Sequence, residues 1–147
     1  DLKYGRTVYS LLYGLKNYHV DVHLISPPSL AIRKESIFEF EGIMNIKHYD
    51  YLDEIIPKLD VLYVTRIQKE RFPDTQEYEK VKGTYRIDDK ILENSKIDLS
   101  IMHPLPRLDE ISHTIDYTKN AIYFKQAAYG KALRSALLAL ILNGDPF

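Results

Sequence analysis

At 147 residues and 45% hydrophobic content, the chain has the size of one ordinary globular domain. A formal charge of −1 supplies neither a basic field for nucleic acid nor a polybasic anchor for a membrane, and the absence of cysteine excludes a disulfide framework and a thiolate metal site. The longest strongly apolar run, Ala136 to Leu142, falls short of the about 20 residues that cross a bilayer. No charged-then-apolar signal segment opens the chain, and the composition fits the cytosol.

The first residues, Asp1-Leu2-Lys3-Tyr4-Gly5-Arg6-Thr7, lack an initiator Met and carry a turn-like glycine, so they read as the interior of a longer protein. From Thr7 to Asn17, Val8, Leu11, Leu12 and Leu15 recur at helical spacing. Val20 to Ile25 alternates, is rich in β-branched residues and predicts a strand, stopped by Pro27-Pro28. Ser29 is then expected to cap a helix running towards Glu41, with Gly42 as its C′ residue. Ile43 to His48 predicts a further strand, and Tyr51 to Lys58 a short helix limited by Pro57.

Asp60 to Thr65 is the clearest strand, nearly continuous in apolar and β-branched residues, as expected when helices cover both faces of a parallel sheet. Helical pieces are expected around Gln76–Lys82 and Asp88–Asn94, and a short strand over Leu99–Met102. Leu133, Ala136, Leu137, Leu140 and Ile141 fall at i, i+3, i+4, i+7 and i+8, which predicts the buried stripe of a C-terminal helix ending near Asn143-Gly144. Strand and helix alternate throughout, so the expected fold is α/β: a doubly wound, mostly parallel sheet with helices on both faces.

In such folds ligands bind outside the C-terminal ends of strands, which selects the loops after Thr65 and after Met102. The first, Thr65 to Arg71, places Arg66, Gln68, Lys69 and Arg71 directly after a buried strand. An arginine fork matches a carboxylate, so this loop suits a small anion; it equally reads as a solvated loop with internal Glu70–arginine pairing. The second loop, His103 to Arg107, holds two prolines, which stiffen the chain and leave carbonyls free as acceptors for an amine or amide. The plainer reading is a strand exit. His103 reads as structural, because no second acid–base group lies close in sequence. Gly5-Arg6-Thr7 opens a helix whose free N–H groups and dipole favour an anion, or is an ordinary helix start. Together the three sites describe a pocket for a dicarboxylate with a positioned amine.

The blocks Asp1-Leu2-Lys3-Tyr4-Gly5-Arg6-Thr7-Val8, Thr65-Arg66-Ile67-Gln68-Lys69-Glu70-Arg71 and Met102-His103-Pro104-Leu105-Pro106-Arg107-Leu108-Asp109-Glu110 resemble the signature blocks of aspartate carbamoyltransferases. Their order and approximate spacing agree, as do Tyr123 to Ala127 and the Leu-rich helix after them, so the resemblance covers essentially the whole chain. Ornithine carbamoyltransferases share the fold, but typically carry cysteine at the position of Pro104 and lack the Arg-x-Gln-Lys-Glu-Arg loop. No G-x-G-x-x-G follows a strand, which sets aside a dinucleotide-binding domain.

The resemblance implies that residues 1–147 form an L-aspartate-binding domain of Rossmann-like transcarbamoylase fold, without its first, apolar strand and without the N-terminal carbamoyl phosphate-binding domain. It assigns Arg6 and Thr7 to the α-carboxylate of aspartate, Arg66 and Gln68 to the side-chain carboxylate, and the carbonyls of Pro104 and Leu105 to the reacting nitrogens. It further implies a closing loop in which Glu70 orients Arg66 beside Arg71, Lys3 pairs with Glu77 in one loop state, and Tyr78 reaches Asp109. The Leu105–Pro106 bond is expected to be cis. The expected assembly is a homotrimer of full-length chains, with regulatory subunits left open; neither cofactor nor metal is implied. A non-catalytic assembly module of the same fold is the competing reading. The phosphate-binding Ser-x-Arg-Thr loop and the His-Pro-x-Gln block do not occur, so these residues alone are expected not to turn over.

Overall fold

The computed structural model describes residues 1–143. In chain order it contains α1 (Arg6–Leu15), β1 (Asp21–Ile25), α2 (Lys34–Phe38), β2 (Asn45–Tyr49), β3 (Val61–Tyr63), α3 (Thr75–Val81), α4 (Asp89–Glu93), β4 (Ser100–Met102) and α5 (Tyr123–Asn143), with short 3-10 turns between several of them. All strand pairing is parallel: β1 runs beside β2 with Val22 opposite Ile46, and β3 beside β4 with Leu62 opposite Ile101. This is the α/β architecture that the alternating pattern predicts.

Two of the expected helices are shorter or looser than their periodicity implies. The segment read as a helix from Ser29 to Glu41 divides into a 3-10 turn at Pro28–Leu30 and the short α2, and Ser29 caps nothing. The reason lies in Leu30, whose carbonyl accepts the N–H of Leu2 (3.2 Å) and is thus withdrawn from a helix. Ala31 is extended, which seats both Leu30 and Ile32 inside. Gly42 adopts a φ of +76° and so takes the left-handed turn expected of it. Tyr51–Lys58 likewise becomes two 3-10 turns, Leu52–Glu54 and Ile56–Lys58, because Pro57 has no N–H to continue an α-helix.

The stripe on α5 needs a larger correction. Its helical period is real, but Leu133, Leu137 and Ile141 are 71%, 53% and 66% exposed. The helix packs through its first turn, where Tyr123 is fully buried, and the apolar stripe has no cover among the described residues. Gly144, expected near the helix end, lies outside them.

Two cores result. One gathers Leu62, Leu99, Ile101, Ile111, Ile115 and Tyr123 around β3 and β4; the other gathers Leu2, Val8, Leu12, Leu24 and Phe40 around α1 and β1. No strand joins the two pairs among the described residues. Between them lies a slot of about 1160 Å3, lined by every residue of β1 and β3 and walled by Val8, Leu12, Leu52 and Ile55. The sheet is therefore divided at its centre, and the free edges of β1 and β3 both line the gap.

The core around β3 and β4 is tied to the chain beyond β4 by Arg107. Its guanidinium donates to Asp116, whose other oxygen accepts the Tyr123 hydroxyl, and to the carbonyls of Ile111 (3.3 Å) and Ser112 (3.4 Å). It also lies 5.5 Å from the Tyr123 ring centroid. Asp116→Ala strands this largely buried cation and should remove about 3 kcal/mol of stability, read by urea unfolding. A loss within experimental noise would show the ion pair to be incidental.

Candidate functional site

Parallel strands end on the same side of a sheet, and Tyr63 of β3 is the register partner of Met102 of β4. The Val64 N–H continues the ladder to the Met102 carbonyl at 2.9 Å. Hence the charged loop after Thr65 and the proline loop from His103 leave the sheet side by side, at the end where α/β ligands bind.

The start of the chain joins them. Asp1 Oδ1 accepts the N–H of Tyr4 (3.0 Å), and Oδ2 accepts the N–H of Gln68 (3.3 Å), clamping the first turn to the charged loop. Arg71 donates to the Tyr4 carbonyl, closing the same junction from the other side. Gly5 has to be glycine here, since an added Cβ would sit 2.5 Å from the Asp1 carbonyl oxygen. That close turn delivers the N-terminus of α1, with Arg6 and Thr7, to the two loops.

A cavity of about 200 Å3 opens between the three segments, lined by Gly5, Arg6, Thr7, Thr65, Arg66, Gln68, Arg71 and His103 to Pro106. All six residues expected to bind substrate (Arg6, Thr7, Arg66, Gln68, Pro104 and Leu105) therefore face one space, although they lie up to 99 positions apart in sequence. Both Arg6 and Thr7 are exposed, and no carboxylate pairs with Arg6 among the described residues. Arg66 pairs with Glu70, one contact at 3.4 Å and a second shorter one. This uses two of the five guanidinium N–H groups and leaves the others for a ligand. On Glu70, hydrogen bonds and the charges of Arg66 and Arg71 outweigh burial and hold the carboxyl below its usual range, its own backbone N–H contributing most.

The proline loop is held from behind. Leu105 is left-handed (φ 54°), the sole non-glycine residue with positive φ among those described, and its bond to Pro106 is cis as expected. The carbonyls that the resemblance assigns to a ligand, those of Pro104 and Leu105, belong to this turn. His103 is 1% exposed, with Nε2 2.7 Å from Glu110 Oε1 and Nδ1 accepting the Leu105 N–H at 2.8 Å. Its own N–H donates to Gln126 Oε1 of α5 at 3.1 Å. His103 does have an acid–base partner, seven residues on. Tyr63, beneath the loops, has its phenol raised by burial, with opposing hydrogen bonds from Thr7 and Gln126.

Other expected contacts are not formed in this conformation. Lys3 Nζ lies over the Tyr4 ring at 5.2 Å instead of pairing with Glu77, which is exposed on α3. Tyr78 packs edge-on to Phe72 (5.6 Å), with Lys69 over its ring, and it and Asp109 line the large slot without a hydrogen bond between them. Sequence reasoning missed Asp1, Glu110 and Gln126. Asp1 and Glu110 lie within its own motif blocks, but only the fold shows what they hold.

The family profile described as aspartate/ornithine carbamoyltransferase, Asp/Orn binding domain, matches residues 1–141. The aspartate carbamoyltransferase catalytic subunit of Nitrosopumilus maritimus is 58% identical over the whole chain, and that of Cenarchaeum symbiosum 56%; the chain spans 48% of each. Among solved structures, the catalytic subunit of M. jannaschii aspartate transcarbamoylase superposes with a TM-score of 0.88 at 45% identity, covering 99% of this chain and 48% of that one. Aspartate transcarbamoylase from Trypanosoma cruzi, in complex with N-(phosphonacetyl)-L-aspartic acid, gives 0.85 at 38% identity, covering 94% and 46%. The chain spans about half the length of these relatives, and it belongs to the aspartate/ornithine carbamoyltransferase family as its aspartate/ornithine-binding domain.

Proposed function

We propose that this chain is the L-aspartate-binding half of an aspartate carbamoyltransferase, which transfers the carbamoyl group of carbamoyl phosphate to the amine of L-aspartate. The observation that carries this is the convergence of Arg6, Thr7, Arg66 and Gln68 with the Pro104 and Leu105 carbonyls on one cavity of about 200 Å3. Cations on two sides suit the two carboxylates of aspartate, and carbonyl acceptors suit its nitrogen. Arg6 and Thr7 take the α-carboxylate, while Arg66, steadied by Glu70, and Gln68 take the side-chain carboxylate. The carbonyls then hold the amine towards the carbamoyl carbon.

The amine nitrogen attacks that carbon, the bond to the phosphate oxygen breaks, and the nitrogen sheds a proton as phosphate leaves. No covalent enzyme intermediate is involved, and no cofactor is called for. The domain works by orientation and fixed charge. The carbamoyl phosphate site belongs to an N-terminal domain of the whole protein and a neighbouring subunit of a cytoplasmic homotrimer. A strand preceding Asp1 enters the slot between β1 and β3. Lys3–Glu77 and Tyr78–Asp109 contacts belong to a second position of the charged loop, reached when substrate binds. A non-catalytic role for the domain accounts poorly for an unpaired Arg6 at the cavity, since a site without a ligand has no need of it.

In the full-length protein, Arg6→Ala should raise the KM for aspartate by about 30-fold or more, the loss of one arginine–carboxylate contact being on the order of 2–5 kcal/mol. Thermal stability should hold, because Arg6 has no carboxylate partner among the described residues to leave behind. An unchanged KM refutes its place at the carboxylate. The 147 residues alone, mixed with labelled carbamoyl phosphate and aspartate, should form no carbamoyl aspartate; product from that mixture would remove the need for a second domain.

A further inference from the structure

We infer that His103 is a positioning residue for the amine of the substrate: its ring, held by Glu110, fixes Leu105 in the conformation that presents the proline-loop carbonyls. This inference rests on the aspartate-binding reading given above. Three observations carry it. The ring is 1% exposed and both of its nitrogens are occupied, Nδ1 by the Leu105 N–H at 2.8 Å and Nε2 by Glu110 Oε1 at 2.7 Å. An atom that accepts from an N–H carries no proton, so Nδ1 is bare and the ring is neutral, with its proton on Nε2 directed at the carboxylate. Neither nitrogen is left to take a proton from substrate, which excludes a general-base role in this conformation.

Second, the residue held by Nδ1 is the one in a left-handed conformation, at a φ of 54°. A leucine leaves that region unless its surroundings over-determine it. The imidazole acceptor is the side-chain contact of the Leu105 N–H, and the same N–H fixes the plane of the peptide whose oxygen is the Pro104 carbonyl. Third, the ring itself cannot turn. Glu110 also accepts the Leu108 N–H at 3.2 and 3.1 Å, and the His103 backbone is tied to Gln126 of α5. Burial pushes the Glu110 carboxyl up, but the hydrogen bonds from His103 and from the backbone N–H groups of Glu110 and Leu108, joined by the charge of the imidazole whenever it is protonated, reverse this and leave it below its usual range. The carboxylate is thus kept ionised, ready to fix the tautomer.

The test uses the full-length protein and compares aspartate with succinate, the same dicarboxylate without its amine. Asparagine puts an oxygen near the place of Nδ1, whereas glutamine reaches towards Glu110 and leaves the Leu105 N–H without an acceptor. His103→Gln should weaken aspartate binding tenfold or more and succinate binding less than threefold, and His103→Asn should recover most of the loss. An equal loss for both ligands, equal effects of Asn and Gln, or no effect of Gln overturns the inference while leaving the aspartate site standing. If the unmodified protein binds neither ligand, the functional reading itself fails, and this inference with it. Should the variants not fold, long-range 1H–15N spectra of the unmodified protein decide: a proton on Nε2 and a bare Nδ1 support the inference, and a proton on Nδ1 overturns it.

Discussion

The parallel pairing of β3 with β4 is the constraint on which the site depends. It brings Tyr63 and Met102 level, and two segments that are separated by almost forty residues leave the sheet at one edge. The core beneath them, Leu62, Ile101, Ile115 and Tyr123, is as dry as any in the molecule, with Ile101, Ile115 and Tyr123 fully buried. Neither loop has to find the other, because the strands have already done so. What remains is to add the N-terminus of α1, and the Asp1 carboxylate does this by accepting from Tyr4 and Gln68 together. The cavity is thus assembled from three backbones held by hydrogen bonds, with Arg66 and Arg71 already anchored at its rim.

Charge follows the same logic. Arg66 and Arg71 have protein partners, Glu70 and the Tyr4 carbonyl, which fix them while leaving N–H groups unused. Arg6 has the positive end of α1 behind it and no carboxylate beside it among the described residues, so its field is directed at whatever enters the cavity. A solvated loop with internal pairing, the plain alternative for residues 66–71, accounts for Glu70 and Arg66. It does not account for a second arginine arriving from sixty residues earlier in the chain.

Much of this was legible in the sequence. The run Asp60 to Thr65 announces a parallel strand, though only Leu62 of Val61–Tyr63 is buried and Val61, 52% exposed, faces the slot; the rule that ligands sit beyond strand C-termini then points to both loops. What could not be read were the supports. Glu110 looks like one more acidic residue after a loop until the turn at Pro104 to Pro106 folds it back onto His103. Asp1 looks like a chain end until it is seen to bridge two N–H groups. Helical period does not by itself mean burial: α5 has the stripe, but nothing covers it among the described residues. Ser29 failed as a cap because a tertiary hydrogen bond from Leu2 took the Leu30 carbonyl, an influence that local propensity does not contain.

The stripe of α5 is uncovered and the slot between β1 and β3 is open among the described residues, in a chain that spans about half the length of its relatives. Within it, the six residues proposed to hold a dicarboxylate already line one cavity. The most direct measurement is a crystal structure of the full-length protein with N-(phosphonacetyl)-L-aspartate. The account predicts one carboxylate on Arg6 and Thr7, the other on Arg66 and Gln68, and the amide N–H directed at the Pro104 and Leu105 carbonyls. Ligand density with its carboxylates away from both arginines, or seated elsewhere on the domain, would contradict it.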